Sequence, residues 1–325
     1  MRPAASRSPI TSNRRSPDSW RLETEQKDRN MSRQAIGFIG LGLMGSAMVS
    51  RLQDQGYQLT VIANRSRTAI DRAVGRGAVE ASSYRELAAA SDIVMLCVDT
   101  SDTVESCMRG DDGVIAGLRP GAIVVDFGTS LPASTRALGA EVEAAGGGML
   151  DAPLGRTPAH ALEGKLNIMA AGDRAVWERA APVLKDVGEN VFHLGDLGAG
   201  HTVKLLNNFL GMTTANAVAE LFAAADLAGV DRQNVYDVIS AGPLRSMMMD
   251  FVSEYALKGN PAVLEFAIKN GAKDMGYYAQ MLEDAGASSG VAACPLRSMR
   301  DAIADGHGEA MVPVMLDHYR KRFGV

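Results

Sequence analysis

A glycine-rich stretch near the start of the sequence could hold the phosphates of a dinucleotide. Gly40, Gly42 and Gly45 form a G-x-G-x-x-G run between an apolar segment and a helical pattern. The first glycine permits a tight turn, the second lets the backbone approach a pyrophosphate, and the third allows close packing of helix on sheet. The N–H groups that open the helix, at Leu43 and Met44, would face the phosphates. The pattern predicts a cofactor site formed by these five residues.

The end of the second predicted strand indicates which nucleotide is preferred. Enzymes that use NAD usually carry an acidic residue there, which hydrogen-bonds the ribose hydroxyls. In this sequence Asn64 stands near that position, and Arg65 and Ser66 follow it. A guanidinium there can bind a 2′-phosphate through charge and paired hydrogen bonds, and a solvated arginine at a helix start is the alternative. The sequence therefore predicts NADP(H) as the preferred cofactor, with NAD(H) possible.

Alternating strands and helices must position these residues. Apolar, β-branched runs separated by helical patterns are typical of buried parallel strands. The runs predict strands at residues 35–39, 58–62, 92–98, 122–126, 149–152 and 166–171, and helices at 43–53, 66–74 and 132–145, with further helical stretches near Arg85 and Val104. This alternation predicts an α/β fold with a doubly wound, Rossmann-type parallel sheet.

The pattern changes after a glycine-rich junction at residues 195–200. Residues 201–228 are apolar around most of the helix circumference, which is typical of a buried helix. More helices are predicted at residues 232–240, 244–257, 262–283 and 295–305. The sequence thus divides into an extension at 1–33 that is disordered or a start-site artefact, an NADP-binding Rossmann domain at 34–196, and an all-helical substrate and oligomerisation domain at 197–325.

Composition excludes several classes of protein. The chain has 325 residues and a net charge of −5, which allows two domains and disfavours nucleic-acid binding. Cys97, Cys107 and Cys294 are odd in number and match no zinc pattern, so we expect reduced thiols and no metal. No apolar run is long enough to cross a bilayer, and residues 1–33 lack the apolar core of a secretory signal. These features predict a cytoplasmic protein without a membrane partner.

Five ordered motifs resemble the β-hydroxyacid dehydrogenase family, which includes 3-hydroxyisobutyrate dehydrogenase, tartronate semialdehyde reductase and sulfolactaldehyde reductase. The resemblance covers about residues 35–310. Its carriers are the opening signature at 37–45, the D-x-S-T-like loop at 126–129 with Gly128 in place of Ser, the D-A-P start of the substrate loop at 151–153, the segment from Gly198 through Lys204 to Asn208, and the pair Lys273-Asp274.

The resemblance implies an oxidoreductase that acts on CH–OH groups and interconverts a short anionic 3-hydroxy acid, or a related alcohol, and its semialdehyde. It assigns the proton transfer to Lys204, and Asn208 on the same helix face would orient the lysine or the substrate oxygen. A lysine suits this role if burial lowers its pKa toward neutral. Asn207 is either a substrate ligand or a partner in a helix–helix hydrogen bond. The implied assembly is a homodimer or a homotetramer.

The substrate loop departs from the commonest family pattern, D-A-P-V-S-G-G. Gly155, Arg156 and Thr157 stand where small residues usually receive the substrate carboxylate, and this variant is similar to that of sulfolactaldehyde reductases. An arginine there suits a sulfonate, a carboxylate or a second acidic group. The hypothesis is that Arg156 binds the anionic end of the substrate, and a solvated loop arginine is the alternative.

Three further positions are assigned to the site by the same resemblance. Thr129 would offer a hydroxyl near the nicotinamide or the substrate, unless it is a simple turn residue. Val98 follows the fourth strand, where the family usually has Pro, and would border the cofactor. Lys273 either closes over the cofactor from the helical domain or is a solvated lysine beside Asp274. Two other functions stay open: an imine reductase-like enzyme, and a non-catalytic NADP-binding protein.

Overall fold

Six parallel strands form the main sheet of the computed structural model, which describes residues 33–63 and 67–325. The strands are β1 (Ile36–Ile39), β2 (Leu59–Val61), β3 (Val79–Glu80), β4 (Ile93–Leu96), β5 (Ile123–Asp126) and β6 (Gly148–Asp151). Their order is β3-β2-β1-β4-β5-β6, with every neighbouring pair parallel. The strand order reverses between β1 and β4, where doubly wound sheets bind ligands at the carboxyl ends of the strands. The predicted Rossmann-type sheet is confirmed.

Helices cover both faces of this sheet. They are α1 (Leu43–Asp54), α2 (Arg67–Gly75), α3 (Tyr84–Ala89), α4 (Ser101–Met108), α5 (Val114–Gly117), α6 (Pro132–Ala144), α7 (Pro158–Leu162) and α8 (Arg174–Val187). All four residues of β4 are buried, and alternate ones enter two different hydrophobic clusters, one on each face. This double burial explains why the strand is a continuous apolar run rather than an alternating one.

The strand predicted at 166–171 belongs to a second sheet, so its assignment to the parallel sheet was wrong. This sheet contains β7 (Leu154–Gly155), β8 (Leu166–Ala170) and β9 (Gly188–His193). β8 runs antiparallel to β7 and parallel to β9. The connection from β7 to β8 holds only the five-residue helix α7, and a parallel crossover usually needs a dozen residues or more. The short connection therefore favours antiparallel pairing.

The rest of the described chain is helical, as predicted. Its helices are α9 (Ala199–Leu227), α10 (Arg232–Ser240), α11 (Met247–Lys258), α12 (Ile268–Asp284), α13 (Gly290–Ala302) and α14 (Met315–Phe323). The helix predicted from residue 262 begins at Ile268, because Pro261–Val263 form a separate 3-10 turn capped by the Asn260 side chain. Helix α14 was not predicted. None of the described helices is long and apolar enough to cross a membrane.

Helix α9 is the centre of the helical part, and it packs against α11, α12, α13 and α14. The prediction that it is buried around most of its circumference is only partly correct. Leu205 and Met212 are buried, whereas Leu206 and Leu210 are 46% and 67% exposed. An apolar pattern reports which faces avoid water, but it does not say whether the chain itself covers each face.

The first turn of α9 is fixed against both sheets. Gly198, which precedes the helix, has a φ of 94°. A Cβ on Gly200 would lie only 2.2 Å from the Met169 carbonyl oxygen of β8. Asp151, at the end of β6, accepts hydrogen bonds from the backbone N–H groups of Gly198 (2.8 Å) and His201 (2.6 Å). The glycine-rich junction thus lets the long helix start directly above the ends of the strands.

Candidate active site

Two of the three glycines in the glycine loop, Gly40 and Gly45, are required by the fold itself. Gly40 has a φ of 94°, and a Cβ on it would lie 2.3 Å from the Cys97 carbonyl oxygen. A Cβ on Gly45 would lie 1.9 Å from the Gly40 carbonyl oxygen. Side chains at these two positions would clash with backbone, so glycine is needed for folding.

Gly42 differs, because a Cβ there would meet no described protein atom within 4 Å. Gly42 also precedes α1 without a side-chain cap, so the N–H groups of Leu43, Met44 and Gly45 keep no partner inside the helix. Leu43 is 80% exposed. This uncovered helix start fits a phosphate group that approaches the backbone closely, as a dinucleotide cofactor does.

The loops after β4 and β5 lie beside the glycine loop. Val98 is partly buried, and its Cγ1 would lie 2.8 Å from a Cβ on Gly40. After β5, the Gly128 N–H donates to Asp126 Oδ1 at 2.8 Å, which tightens the turn that leads to Thr129. Thr129 is also partly buried. The structure therefore brings Val98 and Thr129, both predicted as cofactor residues, to the carboxyl edge of the sheet near the glycine loop.

Lys273 on α12 joins the helical part to this edge. Its Nζ donates to the carbonyl oxygens of Asp99 (2.8 Å) and Thr129 (2.9 Å), and it lies 2.9 Å from Asp274 Oδ1. Its side chain is 21% exposed, so it is neither fully buried nor the solvated lysine of the alternative interpretation. A cavity of about 460 Å³ opens beside it, lined also by Leu131 and Tyr277. Lys273 thus spans the boundary between the two parts.

Lys204 lies in the second turn of α9 and is partly buried. Its Nζ donates a hydrogen bond of 2.7 Å to the Leu154 carbonyl oxygen of β7. Burial lowers the pKa of Lys204 below its ordinary value; Asp274 opposes this shift, and Lys273 adds to it. A lysine whose pKa is lowered in this way can exchange a proton closer to neutral pH than a surface lysine can.

Asp274 was named from the sequence only as the neighbour of Lys273, and no contact of its side chain with another element was predicted. Its carboxylate is 2% exposed, and Oδ2 accepts a 2.5 Å hydrogen bond from Asn208 Nδ2. The stacked rings of Phe209 and Tyr278, with centroids 4.3 Å apart, hold the two helices in register here. Its position next to Lys273 in the K-D pair was the only sequence signal, and its partner lies 66 residues away.

The two asparagines of α9 occupy different environments. Asn208 is 7% exposed, whereas Asn207 is exposed. Asn207 Nδ2 lies 3.2 Å from Asn208 Oδ1, so its described hydrogen bond joins it to its own neighbour rather than to another helix. The structure therefore joins Asn208 and Lys273 to Asp274, whose charge also raises the pKa of Lys204, and leaves Asn207 exposed.

The substrate loop begins close to Lys204 and then turns away toward β9. Gly155 ends β7, and Arg156 is the one described non-glycine residue with a positive φ, of 77°. Arg156 Nη1 donates to Glu189 Oε2 at 2.6 Å and to the Lys165 carbonyl oxygen at 2.7 Å. The sequence could not show this ion pair, because Glu189 lies 33 residues further along the chain.

Thr157 and the three residues predicted to select the nucleotide complete the set of candidate residues. Thr157 Oγ1 is 2.8 Å from His160 Nδ1, so its hydroxyl already has a partner within the loop. Asn64, Arg65 and Ser66 lie outside the described residues, as does the predicted extension up to residue 32.

Comparisons with known proteins cover nearly the whole described chain. Residues 35–195 match the family model described as the NAD binding domain of 6-phosphogluconate dehydrogenase. Residues 198–318 match the one described as NAD-binding of NADP-dependent 3-hydroxyisobutyrate dehydrogenase. The probable 3-hydroxyisobutyrate dehydrogenase-like 3, mitochondrial, of Arabidopsis thaliana is 33% identical over 294 residues, which are 90% of each chain. The chain belongs to the β-hydroxyacid dehydrogenase family.

Two more similarities agree with this membership. The 3-sulfolactaldehyde reductase of Escherichia coli is 37% identical over 186 residues, which are 57% of this chain and 62% of that protein. The solved structure of 3-hydroxyisobutyrate dehydrogenase from Mycobacterium tuberculosis with L-serine superposes with a TM-score of 0.77 at 26% identity. That similarity covers 88% of this chain and 99% of the other. As a β-hydroxyacid dehydrogenase family member, the chain is an NAD(P)-dependent dehydrogenase or reductase.

Proposed function

We propose that this protein is an NADP(H)-preferring oxidoreductase that interconverts a short anionic 3-hydroxy acid and its semialdehyde, with Lys204 as the general acid and base. The observation that carries the proposal is the position of Lys204. It combines a lowered pKa, a hydrogen bond to the Leu154 carbonyl oxygen of β7, and an electrostatic interaction with Asp274 of α12. The bound nicotinamide cofactor supplies or accepts the hydride.

Lys204 has the properties that proton transfer to a carbonyl oxygen requires. An ammonium group carries three N–H donors, and the Leu154 carbonyl oxygen takes one of them. This bond orients the ammonium group, and its remaining N–H groups can donate to a substrate oxygen. In reduction Lys204 gives its proton to that oxygen; in oxidation the neutral amine removes the proton from the hydroxyl. Both directions use the same geometry, because they share one transition state.

Asn208 and Asp274 support this geometry in the proposed mechanism. Asp274 Oδ2 holds one Asn208 N–H, which fixes the plane of the amide. Asn208 can then orient the substrate oxygen with its remaining N–H, or the lysine ammonium with its amide oxygen. The negative charge of Asp274 also raises the pKa of Lys204 and so opposes the effect of burial. The balance keeps the lysine able to hold a proton and to release it.

The substrate's anionic end is proposed to bind at the loop of Gly155, Arg156 and Thr157, with Asn207 at the rim and the Thr129 hydroxyl nearby. Arg156 is paired with Glu189 through Nη1, and no described group bonds its other guanidinium N–H groups. These N–H groups can receive a carboxylate or a sulfonate without breaking the ion pair. A non-glycine residue with positive φ is costly, and such residues cluster at ligand-binding sites.

The cofactor is proposed to lie across the glycine loop and the edge of the sheet. The residues that would hold it are Gly40, Gly42, Leu43, Met44, Gly45, Asn64, Arg65, Ser66, Val98, Thr129 and Lys273. The preference for NADP(H) rests on the missing carboxylate at Asn64 and on the cation at Arg65. Lys273 already bonds two carbonyl oxygens, so its contribution is to hold α12 over the cofactor rather than to offer a free cation.

A homodimer or homotetramer is proposed for the assembly. Leu206 and Leu210 expose an apolar stripe on α9, and Leu244 and Met247 are 75% and 73% exposed. Contiguous apolar surface on a helical domain is typical of an interface.

Oxidation of NADPH and of NADH, measured with a panel of aldehydes, tests the function. The panel contains succinic, tartronic and methylmalonic semialdehydes and sulfolactaldehyde. We expect turnover of at least one member, faster with NADPH than with NADH. Tight NADPH binding without turnover of any aldehyde would contradict the proposal, and turnover of a cyclic imine alone would indicate an imine reductase.

A further inference from the structure

A buried cluster of two carboxylates and one imidazole joins three loops of the site. Asp126 ends β5, Asp151 ends β6, and His201 lies in the first turn of α9; all three are 0% exposed. His201 Nε2 is 3.7 Å from Asp126 Oδ2, and His201 Nδ1 is 3.8 Å from Asp151 Oδ2. The ring therefore lies between two carboxylates, and Lys204 follows it by three residues on the same face of α9.

Asp126 is held as a hydrogen-bond acceptor on both oxygens. Oδ1 accepts from the Gly128 N–H and Oδ2 from the Ser130 hydroxyl, each at 2.8 Å. These bonds shape the loop whose Thr129 carbonyl oxygen receives Lys273. The two hydrogen bonds fix the orientation of the Asp126 carboxyl group.

Asp151 is also an acceptor on both oxygens, through the two backbone N–H groups that start α9. Burial raises the pKa of Asp151, while His201 and these backbone bonds act in the opposite direction. Asp151 therefore links the end of β6 to the start of α9.

Thr135 on α6 ties the His201 ring to a further element. Thr135 Oγ1 is 3.1 Å from the Leu131 carbonyl oxygen and 2.8 Å from His201 Nδ1, and the contact with the ring is buried. In the described residues Nε2 has no hydrogen-bond partner and faces Asp126. The ring therefore joins α6 and the ends of β5 and β6 to the first turn of α9.

We propose that His201 is a positioning residue: its buried ring lies between Asp126 and Asp151, is bonded to Thr135, and fixes the first turn of α9 and with it Lys204. Its effect on turnover rests on the proposed function, whereas its effect on the pKa of Lys204 does not. Without the ring, the contacts among the ends of β5 and β6, α6 and α9 are lost, the helix start loosens, and water reaches Lys204.

Comparison of His201→Gln with His318→Gln tests the positioning role. His318 on α14 is also buried, at 7% exposure, and its ring has no hydrogen-bond partner among the described residues, so this variant controls for loss of a buried imidazole. We expect His201→Gln to lower kcat by about 10- to 100-fold, as small misplacements of a catalytic group do. The KM for the cofactor should not change, and the pKa of Lys204, followed by NMR, should rise. His318→Gln should change none of these.

A folded His201→Gln protein with an unchanged Lys204 pKa and an unchanged kcat would overturn the proposal. If that variant does not fold, Thr135→Val removes the partner of Nδ1 and should shift the Lys204 pKa in the same direction by a smaller amount. If no aldehyde is turned over by the unmodified enzyme, the function fails, and the Lys204 titration still decides the role of His201.

Discussion

The glycine loop and the face of α9 that carries Lys204 are built on different principles. The loop works through backbone: Gly40 and Gly45 are required because Cβ atoms would strike carbonyl oxygens 2.3 and 1.9 Å away. The α9 face works through side chains from distant parts of the chain, since Lys204 reaches Leu154 across 50 residues and Asn208 reaches Asp274 across 66. A backbone site leaves a local sequence signature, whereas a side-chain network does not reveal its pairings.

The largest expected effect is on the side-chain network. Lys204→Met keeps most of the apolar volume and removes the proton donor. We expect kcat to fall by about 10²- to 10⁴-fold, the usual contribution of general acid–base catalysis. The Kd for NADPH, measured by fluorescence titration, should stay within a factor of about two. A variant that retains more than a tenth of the activity would remove Lys204 from the mechanism.

The glycine loop allows a matched pair of substitutions. Gly45→Ala puts a Cβ against backbone, so we expect a loss of several kcal/mol of folding free energy, typical of strain in a packed site. Gly42→Ala meets no described protein atom and costs under about 1 kcal/mol, through weaker capping. Thermal unfolding without cofactor measures both.

NADPH titration separates the two glycines further. Gly42→Ala should weaken binding by at least about tenfold, or about 1.4 kcal/mol, although the protein stays folded. Equal affinity of Gly42→Ala and the unmodified protein would mean that no phosphate approaches the backbone there.

Asp274→Asn separates charge from hydrogen bonding within the network. The amide oxygen can still accept from Asn208, but the charge that raises the pKa of Lys204 is lost. We expect kcat for reduction to fall by about tenfold, at the low end of general-acid effects. The decline of reduction with rising pH should begin at a lower pH, because the pKa of Lys204 falls. An unchanged pH profile would show that Asp274 does not act on Lys204.

Much of the fold could be predicted from the sequence, and the reasons differ between elements. β1 and β4 were readable because their burial on both faces produces continuous apolar runs. β7 was missed because it has two residues, and β8 was placed in the wrong sheet because its partners depend on the length of a connection. The start of α12 was misjudged because a 3-10 turn with its own cap precedes it.

The sequence named candidate site residues but not their contacts. The motif order named Lys204, Asn208 and Lys273; in the structure Asn208 and Lys273 contact Asp274, and the charge of Asp274 raises the pKa of Lys204. His201 was passed over because nothing local shows that one histidine faces two carboxylates from different strands. Likewise Glu189, the partner of Arg156, lies on a strand that the pattern did not reveal.

The smallest expected effect concerns Arg156. Arg156→Ala should raise the KM for an anionic aldehyde by about three- to tenfold with little change in kcat, since a charge-assisted hydrogen bond in an exposed loop contributes modestly. Glu189→Gln is the matched control: it frees the guanidinium, so KM should fall or stay constant. An unchanged KM in Arg156→Ala would show that the anionic end binds elsewhere.

The pH dependence of both reaction directions tests the role of Lys204 most directly. Reduction needs the protonated lysine and oxidation the neutral one. With saturating substrates, we therefore expect kcat for reduction to fall and kcat for oxidation to rise around one shared pH, which lies below the ordinary lysine value of about 10.4 because burial lowers the pKa. Lys204→Met should lack both changes. If the residual activity of Lys204→Met showed the same two pH profiles, the proton would come from another group.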